Sequence, residues 1–250
     1  MSPIAISALV FGCVFGGALV GLSLRGRVPE HHLASDSRDV VKLGIGLIGT
    51  MAALVLGLLV TSAKGSYDTQ RSELTQMSAN LILLDRLLAH YGPEADGARM
   101  LLRQLAINTL HQLWPEEKDA APQPPTMSAG DAYFDKIQEL APRNDSERTL
   151  QSQAQSMSVN LGQLRWLLFE QSGSAISMPM LVVLVFWLAI IFAGFGALAP
   201  RNSTVVATLF LCALAVSGAI FLILELDRPF HGLIKISSLP LRIAISHLGQ

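Results

Sequence analysis

Four apolar runs, each long enough to cross a bilayer, constrain this 250-residue chain more than any other feature. A spanning helix needs about 20 predominantly apolar residues. Inside hydrocarbon every backbone amide must find its partner within its own segment, which leaves helices or closed barrels. The runs cover about Ile4–Leu24, Leu43–Ala63, Ile176–Leu198 and Thr204–Leu224, and no stretch alternates as a strand would. Composition agrees: 51% of residues are hydrophobic and 15% charged, against about 25% charged in a typical soluble domain, and the mean hydropathy is +0.45. The expectation is an all-α membrane protein, with four transmembrane helices and an extramembrane helical hairpin or bundle between the second and third spans. An even number of spans puts both termini on one side of the lipid bilayer.

The first run lacks the basic n-region and cleavage site of a secretory signal, so it reads as a retained span. Its Gly12, Gly16, Gly17 and Gly21 form two overlapping small-xxx-small spacings, which permit a second helix to approach closely. The expected division is then 1–65 for the first two spans, 66–174 for a polar helical domain, 175–226 for the last two spans and 227–250 for an amphipathic tail. Within 66–174, Leu74, Met77, Leu81, Leu84, Leu88 and Tyr91 alternate spacings of three and four, the pattern of an a/d seam in a coiled coil. Leu150, Ala154, Met157, Leu161, Leu164 and Leu168 repeat it. Between the seams a Pro-rich linker near 115–127 interrupts any helix, and a short helix is expected over Asp131–Leu140.

Several chemistries are excluded or left without support. The net charge of −1 gives no basic excess to attract nucleic acid. Cys13 and Cys212 sit in apolar runs and behave as small hydrophobes. Gly44-Ile45-Gly46-Leu47-Ile48-Gly49 spells a dinucleotide fingerprint, but that motif works only between a strand and a helix; here it opens an apolar span and predicts close helix packing. Glu30-His31-His32 lacks metal-ligand spacing and reads as a solvated loop. No nucleophile–base set stands out, so no enzyme activity, cofactor or metal is expected. Apart from Glu225 and Asp227 at the end of the last run, the spans contain no Asp, Glu or His, which disfavours a proton-coupled carrier.

The second run is the most informative. Thr50, Leu54, Leu58 and Thr61 share one helical face, apolar in its middle and hydroxyl-bearing at its ends. Lys42 and Lys64 flank the run, roughly 33 Å apart at 1.5 Å per residue, with no charge between them. Apolar constrictions gate by dewetting, and basic mouths favour anions. The competing reading is a lipid- or helix-facing span whose two lysines snorkel to the interface.

Leu56-Gly57-Leu58, Ser66-Tyr67-Asp68, Pro229-Phe230 with Gly232, and Leu239-Pro240-Leu241 resemble segments of bacterial bestrophins. With Pro29-Glu30-His31-His32, Leu54–Val60, Tyr91-Gly92-Pro93-Glu94 and Leu226–Phe230, the chain is identified as a member of the bacterial bestrophin-like domain family. Bestrophins are pentameric chloride channels whose second transmembrane helix lines the pore. The resemblance therefore implies a homo-oligomer, a pentamer by the family's count, passing small inorganic anions, with the neck at Thr50, Leu54 and Leu58. It also implies a multi-pass protein of the bacterial inner membrane, with termini and helical domain in the cytoplasm. Charge alone leaves orientation open: Arg25, Arg27, Arg38, Lys42 and Arg201 fall on one side, and Lys64, Arg71, Arg165, Arg228, Lys235 and Arg242 on the other.

Departures from the family pattern matter. Leucines replace aromatic neck residues, an Arg-Trp-Trp run is missing at Asp68-Thr69-Gln70, and Leu233–Ser237 lacks the acids that help animal bestrophins bind calcium, so calcium activation is not expected. Pro229 and Phe230 are expected to fold back against the long helix leaving the second span, whereas Asp227 and Arg228 read as a solvated stop at the membrane boundary. A non-conducting, membrane-anchored interaction protein working through its helical seams remains the alternative.

Overall fold

The computed structural model describes residues 2–25, 35–115, 127–171 and 176–250. Among them the chain is all helical: α1 (Pro3–Leu24), α2 (Ser35–Tyr91), α3 (Asp96–Leu113), α4 (Met127–Gln138), α5 (Asp145–Glu170), α6 (Met178–Leu198), α7 (Ser203–Leu226) and α8 (Leu239–His247). α1, α2, α6 and α7 are long and apolar enough to cross a membrane. The histidine pair at 31–32 and the prolines at 122, 124 and 125 lie outside the described residues. The chain divides into two units, 1–65 with 174–227 and 66–173 with 228–250, and α2 contributes to both.

In the first unit α1 packs on α6 and α7. Glycine lets the α1 and α6 backbones nearly touch. A Cβ on Gly17 would meet the Ala189 carbonyl oxygen at 2.8 Å, one on Gly21 would collide with the Ala193 carbonyl, and one on Gly196 with that of Ala18. One small-xxx-small spacing, Gly17–Gly21, thus makes the contact; Gly12 and Gly16 have no neighbour within 4 Å of the equivalent position. The expected close packing at Gly44, Gly46 and Gly49 is not present within the chain either. Open space surrounds all three, and it is Ile45 between them that packs, against Gly194. The motif lies well inside α2, where its amides are committed to the helix and cannot cradle a phosphate.

The α6–α7 connection is set locally. Pro200 holds Ala199 extended and ends α6. Asn202 caps α7 by accepting the Val205 amide at 2.8 Å. Between them Arg201 donates to the carbonyls of Leu22 (3.0 Å) and Ser23 (2.9 Å), satisfying acceptors left open at the end of α1.

The second unit is a helical bundle. Leu74, Met77, Leu81, Leu84, Leu88 and Tyr91 are buried, as are Ala154, Leu161, Leu164 and Leu168 of α5, and all belong to one core. Leu150 and Met157 are half-buried against it. Two amide contacts mark an antiparallel register between α2 and α5. Asn80 Nδ2 donates to Asn160 Oδ1 at 2.9 Å, and Gln70 Nε2 to the Gln171 carbonyl at 2.9 Å. After Tyr91 the chain turns at Gly92, whose φ of 128° favours glycine, and Pro93 opens a 3-10 turn into α3. The helix expected at Asp131–Leu140 is observed as Met127–Gln138. At its end Gln151 Nε2 donates to the Ile137 and Leu140 carbonyls, at 2.9 and 2.8 Å, satisfying acceptors that the helix leaves open.

The glycine contact yields a paired test. Gly21→Ala and Gly12→Ala gain the same helix propensity, about 1 kcal/mol, but only the first forces atoms into a backbone. Overpacking typically costs about 1–3 kcal/mol, so Gly21→Ala is expected to lower the melting temperature in detergent while Gly12→Ala holds or raises it. Equal melting of the two variants would remove the contact from the account.

Candidate functional site

Along the apolar part of α2, Ile45, Ala52, Leu59 and Ala63 are buried in its own unit, and Ile48, Val55 and Leu56 pack against the same core half-buried. Helical residues advance by about 100° each, which places Thr50, Leu54, Leu58 and Thr61 roughly opposite that packed face. Leu54 is 75% exposed and Leu58 59%; Thr50 and Thr61 are exposed as well. Of the four long apolar helices, α2 is the least covered by its own chain. Buried residues make up 17% of its most apolar stretch, against 28–33% for the others.

The stripe is longer than the sequence reading made it. Leu43 (75% exposed) and Leu47 (65%) continue it by two turns toward the start of α2. The signal was available, since 43, 47, 50, 54, 58 and 61 keep one rhythm of fours and threes. Both threonine hydroxyls turn inward on the helix. Thr50 Oγ1 donates to the Leu47 carbonyl at 2.7 Å and Thr61 Oγ1 to that of Gly57 at 2.9 Å. Their protons are thereby committed, and the outward surface at both positions is methyl and oxygen lone pair.

The lysines do not stand on the stripe. By the same helical arithmetic, Lys42 and Lys64 lie roughly a quarter to a third of a turn to one side. Lys42 is paired with Asp39 at 3.0 Å, and both are well exposed. An exposed pair of this kind contributes at most about 1 kcal/mol and is readily exchanged for solvent. Lys64 is exposed.

The tail is built into the second unit. Phe230 is 4% exposed and lies in the core of the second unit, where its ring meets Trp114 edge-on with centroids 5.3 Å apart. Its ring partner is thus the residue that closes α3, and the same core includes Leu74, Met77, Leu81, Leu84 and Leu88 of α2. Trp114 Nε1 in turn donates to the Ile236 carbonyl at 3.1 Å, and the Ile236 amide donates to the Pro229 carbonyl at 2.6 Å. Pro229 is itself buried. Further on, the Gly249 amide donates to Asp85 Oδ2 at 3.2 Å. Asp85 also holds Arg99 in a two-point contact, Nε to Oδ1 at 2.9 Å and a terminal nitrogen to Oδ2 at 3.0 Å. That hydrogen bonding raises the Arg99 pKa above its ordinary value. Glu225 and Asp227 are buried, so the description of a solvated stop applies to the exposed Arg228 alone. Among the described residues no group of three metal-ligating side chains converges.

The family model of the Bestrophin-like domain matches residues 12–241. Three crystal structures of a bacterial bestrophin homologue from Klebsiella pneumoniae, each with one substitution, share the fold at 12% sequence identity. Their TM-scores are 0.71, 0.67 and 0.71; the alignments cover 96%, 94% and 99% of this chain and 97% of each of those chains. No curated protein matches this sequence.

Burial of Phe230 carries its own test. Truncating a packed aromatic typically costs about 3–5 kcal/mol, so Phe230→Ala is expected to lower the melting temperature by many degrees. Leu233→Ala, at an exposed position of the same tail, leaves it near the parent value. A melting profile for Phe230→Ala that matches the parent would reduce the tail to a plain exit segment.

Proposed function

The chain belongs to the Bestrophin-like domain family, and from that premise we propose that it is an oligomeric membrane channel, permeable to small anions of the chloride type, whose pore is lined by α2. The observation that carries this reading is the uncharged stripe of Thr50, Leu54, Leu58 and Thr61, exposed on the side of α2 away from its own packing. An apolar helix face of this length in a bilayer meets either lipid or other copies of the chain. Around a symmetry axis the same face from each copy encloses a narrow apolar passage that gates by dewetting. One copy cannot close such a passage, so the function requires a homo-oligomer, for which we propose a pentamer.

Selection for anions rests with the charges around the stripe, because the threonine protons are already engaged and cannot solvate an anion. Lys64 and Lys42 supply that charge, Lys42 after its exposed pairing with Asp39 yields to solvent. The spans at 1–65 and 175–226 form the membrane part, and the regions 66–174 and 227–250 form an extramembrane helical domain and its tail. We place that domain and both termini in the cytoplasm of a bacterium, with the spans in its inner membrane. The chemistry is transport rather than catalysis.

Purified protein in planar bilayers is expected to pass chloride in preference to sodium, with a reversal potential near that of chloride under a salt gradient. Leu54→Ala and Leu58→Ala are expected to raise the current by widening and wetting the neck. Silence of the parent and of both variants would overturn the channel, as would a monomeric mass in detergent, which leaves a membrane-anchored interaction protein. A sodium-led reversal potential would overturn the anion assignment and spare the pore.

Orientation has an independent check. A reporter active only in the cytoplasm, fused after Gln250, is expected to work, whereas activity of a periplasm-only reporter there would reverse the topology.

A further inference from the structure

The second unit satisfies most of its buried polar groups internally. Ser78, Thr109 and Ser158 donate to carbonyls one turn back, and Asp85 accepts from Arg99 and Gly249. The junction between α2 and the end of α5 differs. Gln70, 1% exposed, donates through Nε2 to the Gln171 carbonyl (2.9 Å) and to Ser66 Oγ (3.3 Å). Gln171 Nε2 donates to Glu73 Oε1 at 3.1 Å. Gln70 and Glu73 are three residues apart, hence on one face of α2, and they share Gln171 as partner. Gln70 Oε1 and Glu73 Oε2 are both shielded from solvent, and neither has a hydrogen-bond partner. The other buried atoms of this unit without a partner, the Tyr91 hydroxyl and Arg165 Nε, can donate. Gln70 Oε1 can only accept, and so can Glu73 Oε2 while its carboxyl is ionised.

A shielded carboxylate oxygen with no donor is costly. What it calls for is positive charge or a donated proton, supplied beside an amide oxygen on the same face. We propose that Glu73 Oε2 and Gln70 Oε1 bind an alkali cation, Na+ or K+, at the α2–α5 junction, with Gln171 positioning both ligands. The charge balance selects the class. One carboxylate among neutral oxygens matches a single positive charge, whereas Ca2+ takes six to eight oxygens, commonly including several carboxylates. The Gln171 carbonyl keeps a second lone pair, and Ser66 Oγ stands beside Gln70, so further oxygen ligands are at hand. The bound ion ties α2 to α5 and acts as a structural ligand. Its existence does not depend on conduction.

The test is thermal unfolding of the full-length protein in detergent, at constant chloride and ionic strength, with N-methyl-D-glucamine replaced stepwise by Na+ or by K+. A ligand of the folded state raises the melting temperature with its concentration. The expected result is a rise with the logarithm of Na+ or K+ concentration; the arm that responds at lower concentration identifies the preferred ion. Glu73→Gln is expected to abolish the rise and, with no charge left to bury, to melt no lower than the parent in N-methyl-D-glucamine. Glu139→Gln, at an exposed carboxylate, keeps the full response. Should Glu73→Gln fail to fold, anomalous scattering from Tl+ in crystals of the parent decides, by a peak between the two oxygens or none. Melting indifferent to both cations would assign the site to water and overturn the proposal. A response that survives in Glu73→Gln, one that follows only pH, or one to Ca2+ alone would overturn it equally.

Discussion

Packing on one side of α2 and exposure on the other is the constraint from which the rest of this structure follows. A helix that is apolar all round ordinarily disappears into a core. Here Ile45, Ala52, Leu59 and Ala63 are taken up by the first unit, while Leu43, Leu47, Leu54 and Leu58 stay largely exposed. Further along the same helix, the rhythm from Leu74 to Tyr91 supplies the second unit with the longest row of its core. Within the first unit, a change of register in α2 would displace Ile45, Ala52, Leu59 and Ala63 from the core, so their packing sets the direction in which Leu54 and Leu58 point.

Each unit answers this constraint with its own device. In the first, glycines let α1 and α6 come into backbone contact, where there is little driving force other than close packing and hydrogen bonding. Arg201 then closes the end of α1 with two charged hydrogen bonds. In the second, the last 23 residues supply part of the core rather than trailing from it. Phe230 and Trp114 pack edge to face, and the Asp85–Arg99 pair receives the Gly249 amide. A largely buried ion pair contributes little net stability when intact, but removing one partner costs about 3–5 kcal/mol. Its worth lies in specifying which segments meet: α2, α3 and the end of the chain.

Much of this was legible from residue order because it depends on short-range periodicity. The four spans follow from the length of their apolar runs, and the seam from Leu74 to Tyr91 and the stripe at Thr50, Leu54, Leu58 and Thr61 from a period of three to four residues, which is a property of the helix itself. What periodicity could not supply was the identity of the neighbour. Gly17 and Gly21 were indistinguishable from Gly12 and Gly16 by spacing, and only the former meet α6. Gly44, Gly46 and Gly49 promised a packed face and have none. Nor did any spacing pair Phe230 with Trp114, since the two residues stand 116 positions apart in the chain.

By itself, then, the sequence determined that the chain is helical, that four of its helices are apolar enough to cross a bilayer, and which residues of α2 share a face. Hydropathy and the pitch of the α-helix are local, so no neighbour is needed to read them. Tertiary structure alone decided which of α2's apolar faces is spent on packing and which stays exposed, and that Gln70 and Glu73 share Gln171, about a hundred residues away. Those outcomes depend on which segments come together from distant parts of the chain, and burial and hydrogen bonding are settled only when they do.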